Sequence, residues 1–271
     1  MNQMTRKRGR PRSFSDKPEH NTNQSLDRAI DVLDGLAASQ GLTLSEIAEE
    51  LGQSPATIYR LLNTFEKRGI VDLDAVSQKW FIGPSLFRLG SAFVRRTSLL
   101  DHARPVMREL MQATGETANL GIERDGMVLF LSQVETQSAI RAFFPPGSRA
   151  PLHASGIGKA LMSRFEPDRV EQVLANTTLE QFTIKTLIAP DQIRADLAQA
   201  RIRGWALDDE EKSLGMRCVA SPVVNHYGEV VAGISVSGPL DRMADEKLVL
   251  IGKTVKAAAD TLSQRMGAPR A

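Results

Sequence analysis

Two amphipathic segments joined by a tight turn occupy residues 41–69 and constrain the fold of this chain more than any other stretch. The second segment opens with Ser54-Pro55, a pair suited to the cap and first position of a helix. Its apolar residues recur at the i, i+3, i+4, i+7 spacing of one buried helical face: Ile58, Leu61, Leu62 and Phe65. The spacing predicts a helix, a turn at Gly52 and a second helix packed on the first.

The opposite face of this second helix carries no bulky apolar residue. Its side chains donate hydrogen bonds or carry positive charge, and they are Thr57, Arg60, Asn63, Thr64 and Lys67. A helix with such a face, supported by another helix and a turn, suits the major groove of DNA. Taken alone, the same pattern also fits an ordinary helical hairpin with a solvated face.

Elements on both sides of the helix pair favour the DNA-binding interpretation. Residues 70–74 and 79–82 have the pattern of two short strands around a polar turn, which is typical of a wing. Residues 25–38 predict a third helix whose stripe is Leu26, Ala29, Ile30, Leu33 and Ala37. We therefore predict a winged helix-turn-helix domain over residues 23–84. Its candidate DNA contacts are Ser45, Ser54, Thr57, Tyr59, Arg60, Asn63, Thr64 and Lys79.

A basic arm precedes this domain. Residues 6–12 are RKRGRPR, and Arg8, Arg10 and Arg12 are candidate DNA contacts. The Arg-Gly-Arg-Pro core resembles an AT-hook, a segment that lies in the narrow minor groove, where arginine meets concentrated negative potential. A disordered basic tail that attracts phosphates without sequence preference explains these residues equally well. Residues 1–22 as a whole are predicted to be disordered.

Composition narrows the function classes. The net charge is only +2, so the positive charge matters through its placement in the arm and on the second helix. A single cysteine excludes an internal disulfide and fits a reducing cytoplasm. No apolar run approaches a membrane span, and the four histidines show no metal-ligand spacing with that cysteine. We expect a cytoplasmic protein with no metal, no cofactor and no membrane contact.

The chain changes character after the wing. Residues 85–102 predict a linker, helical over 85–100, that either pairs with its copy in a dimer or packs on its own domain. A second domain is predicted over residues 103–266. Its predicted strands are 117–123, 127–134, 139–144, 205–208, 217–225 and 229–237, and its predicted helices are 104–114, 156–164, 167–175, 190–203 and 242–266. Most strands join as hairpins, so we predict an α+β chain whose antiparallel sheet is flanked by helices.

Two segments of the second domain carry candidate ligand-binding chemistry. In residues 151–160, small residues lead into a helix, whose free N–H groups suit an anion such as a carboxylate. A tight loop with glycines for packing fits the same residues equally well. Further on, Asp208 opens an acidic run, and Ser235 and Ser237 share one face of the last strand. Together with Cys218, these groups are able to surround a small polar ligand.

The neighbours of Asp208 have plainer interpretations. We expect residues 209–211 to form a solvated acidic turn, and a lone cysteine such as Cys218 is more commonly a small buried hydrophobe. A nucleophilic role for Cys218 would require a base such as His153 within reach, and nothing in the sequence places the two together.

Four segments resemble the IclR family of bacterial transcription regulators: SPATIYRLLNTF, GSRAPLHASGIGKALM, GWALDDEEKSLGMRCVASPV and GISVSGPLDRM. The resemblance covers residues 24–266. It implies a winged helix-turn-helix, a linker helix and a GAF-like effector domain. Members form dimers or dimers of dimers and bind palindromic operators, often near promoters of catabolic operons. The partners implied are therefore double-stranded DNA, further copies of the chain up to a homotetramer, and RNA polymerase at the promoter.

The resemblance extends to members that sense glyoxylate and pyruvate. In those members the carboxylate and oxo group are held by residues that match Gly156, Ile157, Asp208, Cys218, Ser235 and Ser237, and an apolar wall matches Ala142, Ala150 and Met216. This chain departs from the pattern at the wall, where two larger residues are alanine, and at Ile157, which is bulkier than the residue expected. A small oxo-acid, glyoxylate before pyruvate, is the effector that the resemblance implies, in a pocket of redistributed volume.

The predicted function is a DNA-binding transcriptional regulator of a catabolic operon, with no catalytic residues, whose operator binding changes with a small oxo-acid. Three alternatives accompany this prediction. The first is a regulator of the same family that senses an aromatic or sugar acid, and the second is a cysteine-dependent enzyme. The third is an architectural DNA-binding protein led by the basic arm, against which the large second domain argues.

Overall fold

The structure is a computed structural model that describes residues 23–96 and 99–268. The basic arm, with Arg8, Arg10 and Arg12, lies outside the described residues. The chain divides between Arg96 and Thr97 into two compact units, which we call the smaller unit and the larger unit.

The smaller unit is a helix-turn-helix with a wing. Its elements are α1 (Gln24–Ala38), β1 (Leu42–Thr43), α2 (Leu44–Glu50), α3 (Pro55–Glu66), β2 (Val71–Asp74), β3 (Lys79–Ile82) and α4 (Pro84–Arg96). Strands β2 and β3 form the predicted antiparallel wing. The two-residue strand β1 was not predicted; it pairs with β3, so that β3 is the central strand of a three-stranded sheet.

Side-chain caps define where the two helices of the helix-turn-helix begin. Thr43 and Glu46 form a reciprocal capping box at the start of α2. At the start of α3, the Ser54 hydroxyl accepts a hydrogen bond from the Thr57 backbone N–H at 3.2 Å, and Pro55 occupies the first turn. Both arrangements satisfy amide groups that have no partner inside the helix. The start predicted for α3 is therefore confirmed.

The core of the smaller unit confirms the stripe predicted for α3 and only part of the one predicted for α1. Ile58 and Leu62 are fully buried. On α1, Ala29 is buried and Leu33 packs on the core as predicted, but Leu26 is 60% exposed, Ile30 is 49% exposed and Ala37 is exposed, so the predicted burial of these three was wrong. The buried residues of α1 are Ala29, Val32 and Leu36. Apolar residues cover more than one face of this helix, so periodicity alone did not decide which edge of the wide stripe faces the core.

The larger unit is a six-stranded antiparallel sheet with helices on both faces. Its elements are α5 (Leu99–Thr114), β4 (Thr117–Arg124), β5 (Met127–Val134), β6 (Arg149–Pro151), α6 (Gly156–Met162), α7 (Pro167–Asn176), α8 (Pro190–Arg203), β7 (Ala206–Asp209), β8 (Met216–Val224), β9 (Val230–Pro239) and α9 (Asp245–Arg265). The strand order is β6-β5-β4-β9-β8-β7. The α+β arrangement predicted from the sequence is therefore present.

Two hydrophobic clusters divide the larger unit by sheet face. One cluster joins α5 and α9 to the alternate residues of β4, β8 and β9, such as Leu120, Val219 and Ile234. The other joins α6, α7 and α8 to residues of β5, β6, β7 and β8, such as Phe130 and Ala220. Because side chains alternate along a strand, Ser235 and Ser237 lie on the α6 face of β9.

The predicted strand over residues 139–144 is wrong. This segment is an irregular loop, and the short strand β6 forms the sheet edge instead. Ala142 is buried, Phe143 is exposed and Phe144 is partly buried, an alternation that imitates a strand. The segment is held by a side chain and not by a strand ladder, because Arg242 Nη2 donates to the Ile140 carbonyl at 2.9 Å.

Helix boundaries near the division between the units also differ from expectation. The helix predicted over residues 85–100 is described as α4 only to Arg96, and residues 97 and 98 lie outside the described residues. The helix predicted from Arg104 begins at Leu99, with Pro105 inside it. Proline is usually found in the first turn of a helix, but here a turn and a half precede it. Leu99 and Leu100 are instead buried in the core of the larger unit.

The burial of Leu62 generates a stability prediction. Leu62→Ala should lower the free energy of unfolding by about 2–5 kcal/mol, because it removes a fully buried side chain and leaves a cavity. Val76→Ala is the matched control, since Val76 is 94% exposed, and we expect a change within about 0.5 kcal/mol. Calorimetric unfolding of the full chain measures both. Equal effects of the two variants would contradict the assigned core.

Candidate functional site

The outward face of α3 presents few free hydrogen-bonding groups. The Thr57 hydroxyl lies 2.9 Å from the Ser54 hydroxyl, and the Thr64 hydroxyl donates to the Arg60 carbonyl at 2.8 Å. Within the described part of the chain, the side chains of Arg60, Asn63 and Lys67 make no hydrogen bond or ion pair. Arg60 and Lys67 are exposed and Asn63 is partly buried, so these three groups of the face are available to DNA.

The remaining candidate DNA contacts of the smaller unit surround this face. Ser45 is exposed on α2, and Ser54 is exposed at the start of α3. Tyr59 is 52% exposed on α3. Lys79 is partly buried at the start of β3, the central strand of the wing sheet. All of them belong to one compact unit, so the structure keeps the predicted set together on the smaller unit.

A cavity of about 230 Å³ lies in the larger unit, between the 141–144 loop and the ends of β7, β8 and β9. Its lining residues are Arg141, Ala142, Phe143, Phe144, Asp208, Lys212, Ser213, Met216, Arg217, Cys218 and Ser237. Five of these were predicted as effector contacts: Ala142, Asp208, Met216, Cys218 and Ser237. The sheet register explains their convergence, because Asp208 pairs with Cys218, and Cys218 pairs with Ser237.

The other four predicted effector residues do not line this cavity. Ala150 and Ile157 belong to the hydrophobic cluster beneath α6. Ser235 is fully buried on β9, and its hydroxyl has no partner that meets hydrogen-bond geometry among the described residues. Gly156 begins α6 and lies directly over Cys218.

Gly156 allows α6 to approach β8 closely. A Cβ at this position would lie 2.6 Å from the Cys218 Sγ and 3.0 Å from the Cys218 carbonyl oxygen, so only glycine fits without displacement. One backbone N–H at the start of α6 is already satisfied, because the Ser155 hydroxyl accepts a hydrogen bond from the Gly158 N–H at 3.1 Å. Of the two interpretations of residues 151–160, the structure therefore supports the packing loop.

Burial controls the protonation of the two titratable groups at the centre of the site. Burial, followed by the nearby Glu211, raises the pKa of Asp208 to about 7. One Asp208 oxygen accepts a hydrogen bond from the Glu211 backbone N–H at 2.8 Å. Burial and the Asp208 charge raise the pKa of Cys218 to about 11, which keeps its thiol neutral near pH 7.

His153 is not placed to activate Cys218. Its Nε2 lies 3.0 Å from the Glu180 carbonyl, and His153 does not line the cavity that Cys218 lines. A neutral thiol without a base in contact is a poor nucleophile. The geometry therefore argues against the cysteine-dependent enzyme.

The acidic run after Asp208 is not the solvated turn that we expected. Glu210 and Glu211 are buried, and each carboxylate is paired with a lysine. Lys159, on α6, is 1% exposed and contacts Glu211 and, at 2.9 Å, Asp196. Burial alone lowers the pKa of Lys159, but the two carboxylates outweigh it and hold this pKa above its ordinary value. Sequence reasoning missed this pair because its partners lie 52 residues apart.

Three cationic side chains that sequence reasoning missed also line the cavity. Arg217 pairs with Asp209 at 2.6 Å and with Asp245 at 2.7 Å. Arg141 pairs with Glu135 at 2.7 Å. The Lys212 ammonium lies 3.2 Å from the centroid of the Phe182 ring. Arg217 and Arg141 are thus neutralised by carboxylates, whereas the Lys212 ammonium makes no ion pair with a carboxylate of the described residues.

The described residues 23–96 and 99–268 contain no cluster of metal-ligating side chains. None of the helices described over the same ranges has the length and apolar character needed to cross a membrane.

Comparison with known proteins matches both units. The family model for the IclR helix-turn-helix domain matches residues 25–75, and the model for the bacterial transcriptional regulator IclR C-terminal region matches residues 91–264. The HTH-type transcriptional regulator BhcR of Paracoccus denitrificans (strain Pd 1222) is 50% identical over 273 residues, which cover 100% of this chain and 98% of that protein. The acetate operon repressor of Salmonella typhimurium (strain LT2) is 36% identical over 267 residues, or 97% of each chain.

A solved structure of an IclR homolog from Microbacterium hydrocarbonoxydans, complexed with 4-hydroxybenzoate, has a similar fold. Its TM-score is 0.79 at 25% identity, and the match covers 90% of this chain and 100% of that chain. The chain belongs to the IclR family of DNA-binding transcriptional regulators, as the resemblance of its sequence predicted. Its relatives are transcriptional regulators and not enzymes, which confirms that prediction as well.

The raised pKa of Asp208 generates a prediction on stability against pH. The pKa of Asp208 is about 7 in the folded chain and about 3.9 when unfolded. The neutral carboxyl therefore contributes stability that is fully present below about pH 4 and is lost as pH rises to about 7. Relative to Asp208→Asn, the wild type should lose a few kcal/mol of unfolding free energy between those pH values.

Urea unfolding of both proteins at several pH values measures this difference. Asp241→Asn is the control, because Asp241 is exposed and the same substitution there should produce no such trend. If the difference in unfolding free energy between the wild type and Asp208→Asn does not change with pH, the raised pKa assigned to the buried Asp208 is wrong.

Proposed function

We propose that this regulator binds a small oxo-acid, most favourably glyoxylate, in the cavity of the larger unit, and that the ligand modulates operator binding. The observation that carries the proposal is the convergence of Asp208, Cys218 and Ser237 on one cavity wall. An Asp208 carboxyl whose pKa is raised to about 7, a neutral thiol and a hydroxyl offer hydrogen bonds to a short anion, and protonation of Asp208 removes its repulsion of that anion.

The size of the cavity supports a small ligand. Its volume of about 230 Å³ is below the range of about 300–1,000 Å³ that is usual for larger ligands. The relative from Salmonella, an acetate operon repressor, supports a catabolic operon of two-carbon compounds as the target. The Paracoccus relative is 50% identical over the whole chain, so the same effector can be tested on that protein as well.

An aromatic acid is the second candidate effector. Phe143 and Phe144 line the cavity, and Phe144 stacks on Phe130 with a centroid distance of 4.8 Å. Ala142 also lines the cavity. The resemblance to sensors of small oxo-acids implies a larger residue at this position, so the alanine leaves room beside the two rings. The homolog complexed with 4-hydroxybenzoate has a similar fold, which favours testing that ligand directly.

The loop that closes the cavity offers a way for a ligand to change the chain. Arg242 donates both to the Glu116 carboxylate, at 2.6 and 2.9 Å, and to the Ile140 carbonyl at 2.9 Å. The loop with Ala142 is therefore tied to the starts of β4 and α9. A ligand that binds one loop arrangement more tightly than another shifts the equilibrium toward it. In a dimer or a dimer of dimers on a palindromic operator, that shift alters the affinity for DNA.

Arg60 generates a prediction for the DNA-binding face. Arg60→Ala should weaken operator binding by about 1–3 kcal/mol, because its side chain is exposed and uncommitted on α3. Arg164→Ala removes the same charge from an exposed position of the larger unit and serves as the control. Fluorescence anisotropy with a promoter fragment measures both at fixed salt. Unchanged binding of Arg60→Ala would refute this role.

Isothermal titration with glyoxylate, pyruvate and 4-hydroxybenzoate tests the effector. We expect saturable binding of glyoxylate by the wild type and loss of binding in the double variant Ser235→Ala, Ser237→Ala, with DNA binding kept. Ser221→Ala is the control, since it removes a buried hydroxyl from β8 that does not line the cavity. Binding of 4-hydroxybenzoate alone would replace the oxo-acid with the aromatic acid. Full binding of glyoxylate by the double variant would refute the role of these hydroxyls.

A further inference from the structure

The three cations that line the cavity differ in how their charge is used. Arg217 is paired with Asp209 and Asp245, and Arg141 is paired with Glu135. Lys212 makes no ion pair with any carboxylate among the described residues. Its charge is therefore the one of these three that a ligand meets without first displacing a protein carboxylate.

Lys212 is held at the cavity wall by its backbone and by an aromatic ring. Its backbone N–H donates to an Asp208 oxygen at 3.4 Å, which fixes the residue directly after the acidic run. Its ammonium lies 3.2 Å from the centroid of the Phe182 ring. Burial lowers the pKa of Lys212, while the charges of Glu180 and Asp208 oppose that effect.

The Phe182 ring binds the Lys212 ammonium group only weakly. A cation–π contact attracts the charge but neither neutralises it nor satisfies its three N–H donors. A ligand carboxylate does both through charge-assisted hydrogen bonds. The exchange of Phe182 for a carboxylate is therefore favourable at a partly desolvated site.

We propose that Lys212 binds the carboxylate of the effector and makes the cavity selective for acids over their neutral esters. This inference rests on the proposed function, since it assigns a residue to the same cavity. It adds a cationic residue to a set of predicted contacts that otherwise offers only neutral donors and Asp208. On ligand entry the ammonium leaves the Phe182 ring for the carboxylate.

Hydrogen bonds connect the Phe182 ring and Lys212 to the surrounding backbone of the larger unit. The backbone N–H groups of Phe182 and Thr183 donate to the Thr186 hydroxyl at 3.0 and 2.8 Å. Thr186 in turn donates to the Glu211 carbonyl at 2.6 Å, one residue before Lys212. The ring and the lysine thus belong to one hydrogen-bonded assembly, and ligand binding acts on both of its ends.

Titration calorimetry of the full chain tests this role with pairs of an acid and its methyl ester. The pairs are pyruvate with methyl pyruvate and 4-hydroxybenzoate with its methyl ester, and glyoxylate is titrated alongside. The variants are Lys212→Met, which keeps an apolar stem against Phe182, and Lys212→Arg, which keeps the charge. Lys253→Met removes the same charge from an exposed position on α9 and is the matched control.

We expect Lys212→Met to bind the acids about 10- to 100-fold more weakly, the size of a lost charge-assisted hydrogen bond. The same variant should bind the esters as the wild type does, Lys212→Arg should retain most of the acid affinity, and Lys253→Met should change nothing. Unfolding midpoints equal to the wild type show that the variants are folded, and retained ester binding shows that the cavity is intact.

Unchanged acid affinity in Lys212→Met would overturn the inference while leaving the proposed function standing. An equal loss for acid and ester would also overturn it, since it would assign Lys212 to cavity shape and not to charge. A wild type that binds 4-hydroxybenzoate and no oxo-acid would refute the oxo-acid proposal, and the role of Lys212 would then be decided with the benzoate pair. A wild type that binds none of these acids would refute both.

Discussion

The buried ammonium group of Lys159 is the constraint on which the geometry of the cavity depends. A charge that is 1% exposed is tolerated only beside carboxylates, and here Glu211 and Asp196 supply them. The pair joins α6 and α8 to the turn after β7. Because Glu211 lies three residues after Asp208 and directly before Lys212, the ion pair anchors the segment that carries both of these cavity-lining groups. The glycine contact between α6 and β8 acts in the same place, since it brings the start of α6 against Cys218.

The two units use polarity in opposite ways. In the smaller unit the core is apolar, and the polar groups of α3 face outward, where Arg60 and Asn63 remain uncommitted. In the larger unit the polar groups converge inward, and burial holds them neutral or paired. The division agrees with the family assignment, in which the helix-turn-helix model matches residues 25–75 and a separate C-terminal model matches residues 91–264. A buried polar network is most stable when every member has a partner, and in this unit Glu211 is paired with Lys159 while the Lys212 ammonium has only the Phe182 ring.

Features that depend on residues close together in the sequence were predicted correctly, and features that depend on distant residues were missed. The caps and stripe of α3 depend on residues within one or two turns, and Ser54, Ile58 and Leu62 were predicted correctly. The strands of the large sheet followed from alternation, and the pairing of Asp208 with Cys218 and Ser237 brought three predicted residues together. The strand predicted at 139–144 was wrong, because an alternation of buried and exposed residues also fits a loop, here held at Ile140 by Arg242 from 102 positions away. Lys159 and Lys212 escaped notice for the same reason, since Glu211 and Phe182 become their neighbours only in the folded chain.

The raised pKa of the Cys218 thiol has a consequence for reversibility. Glyoxylate, the proposed effector, is an aldehyde, and a thiolate adds to an aldehyde carbon far more readily than a neutral thiol does. Burial raises the pKa of this thiol to about 11, so the neutral thiol is the dominant form at neutral pH. If the proposed effector binds at this wall, the neutral sulfur would therefore be a poor nucleophile toward its aldehyde carbon, and noncovalent contacts would hold the ligand. Release of such a ligand would follow its concentration in the cell, and the thiol would also resist oxidation by peroxides that attack ionised cysteines.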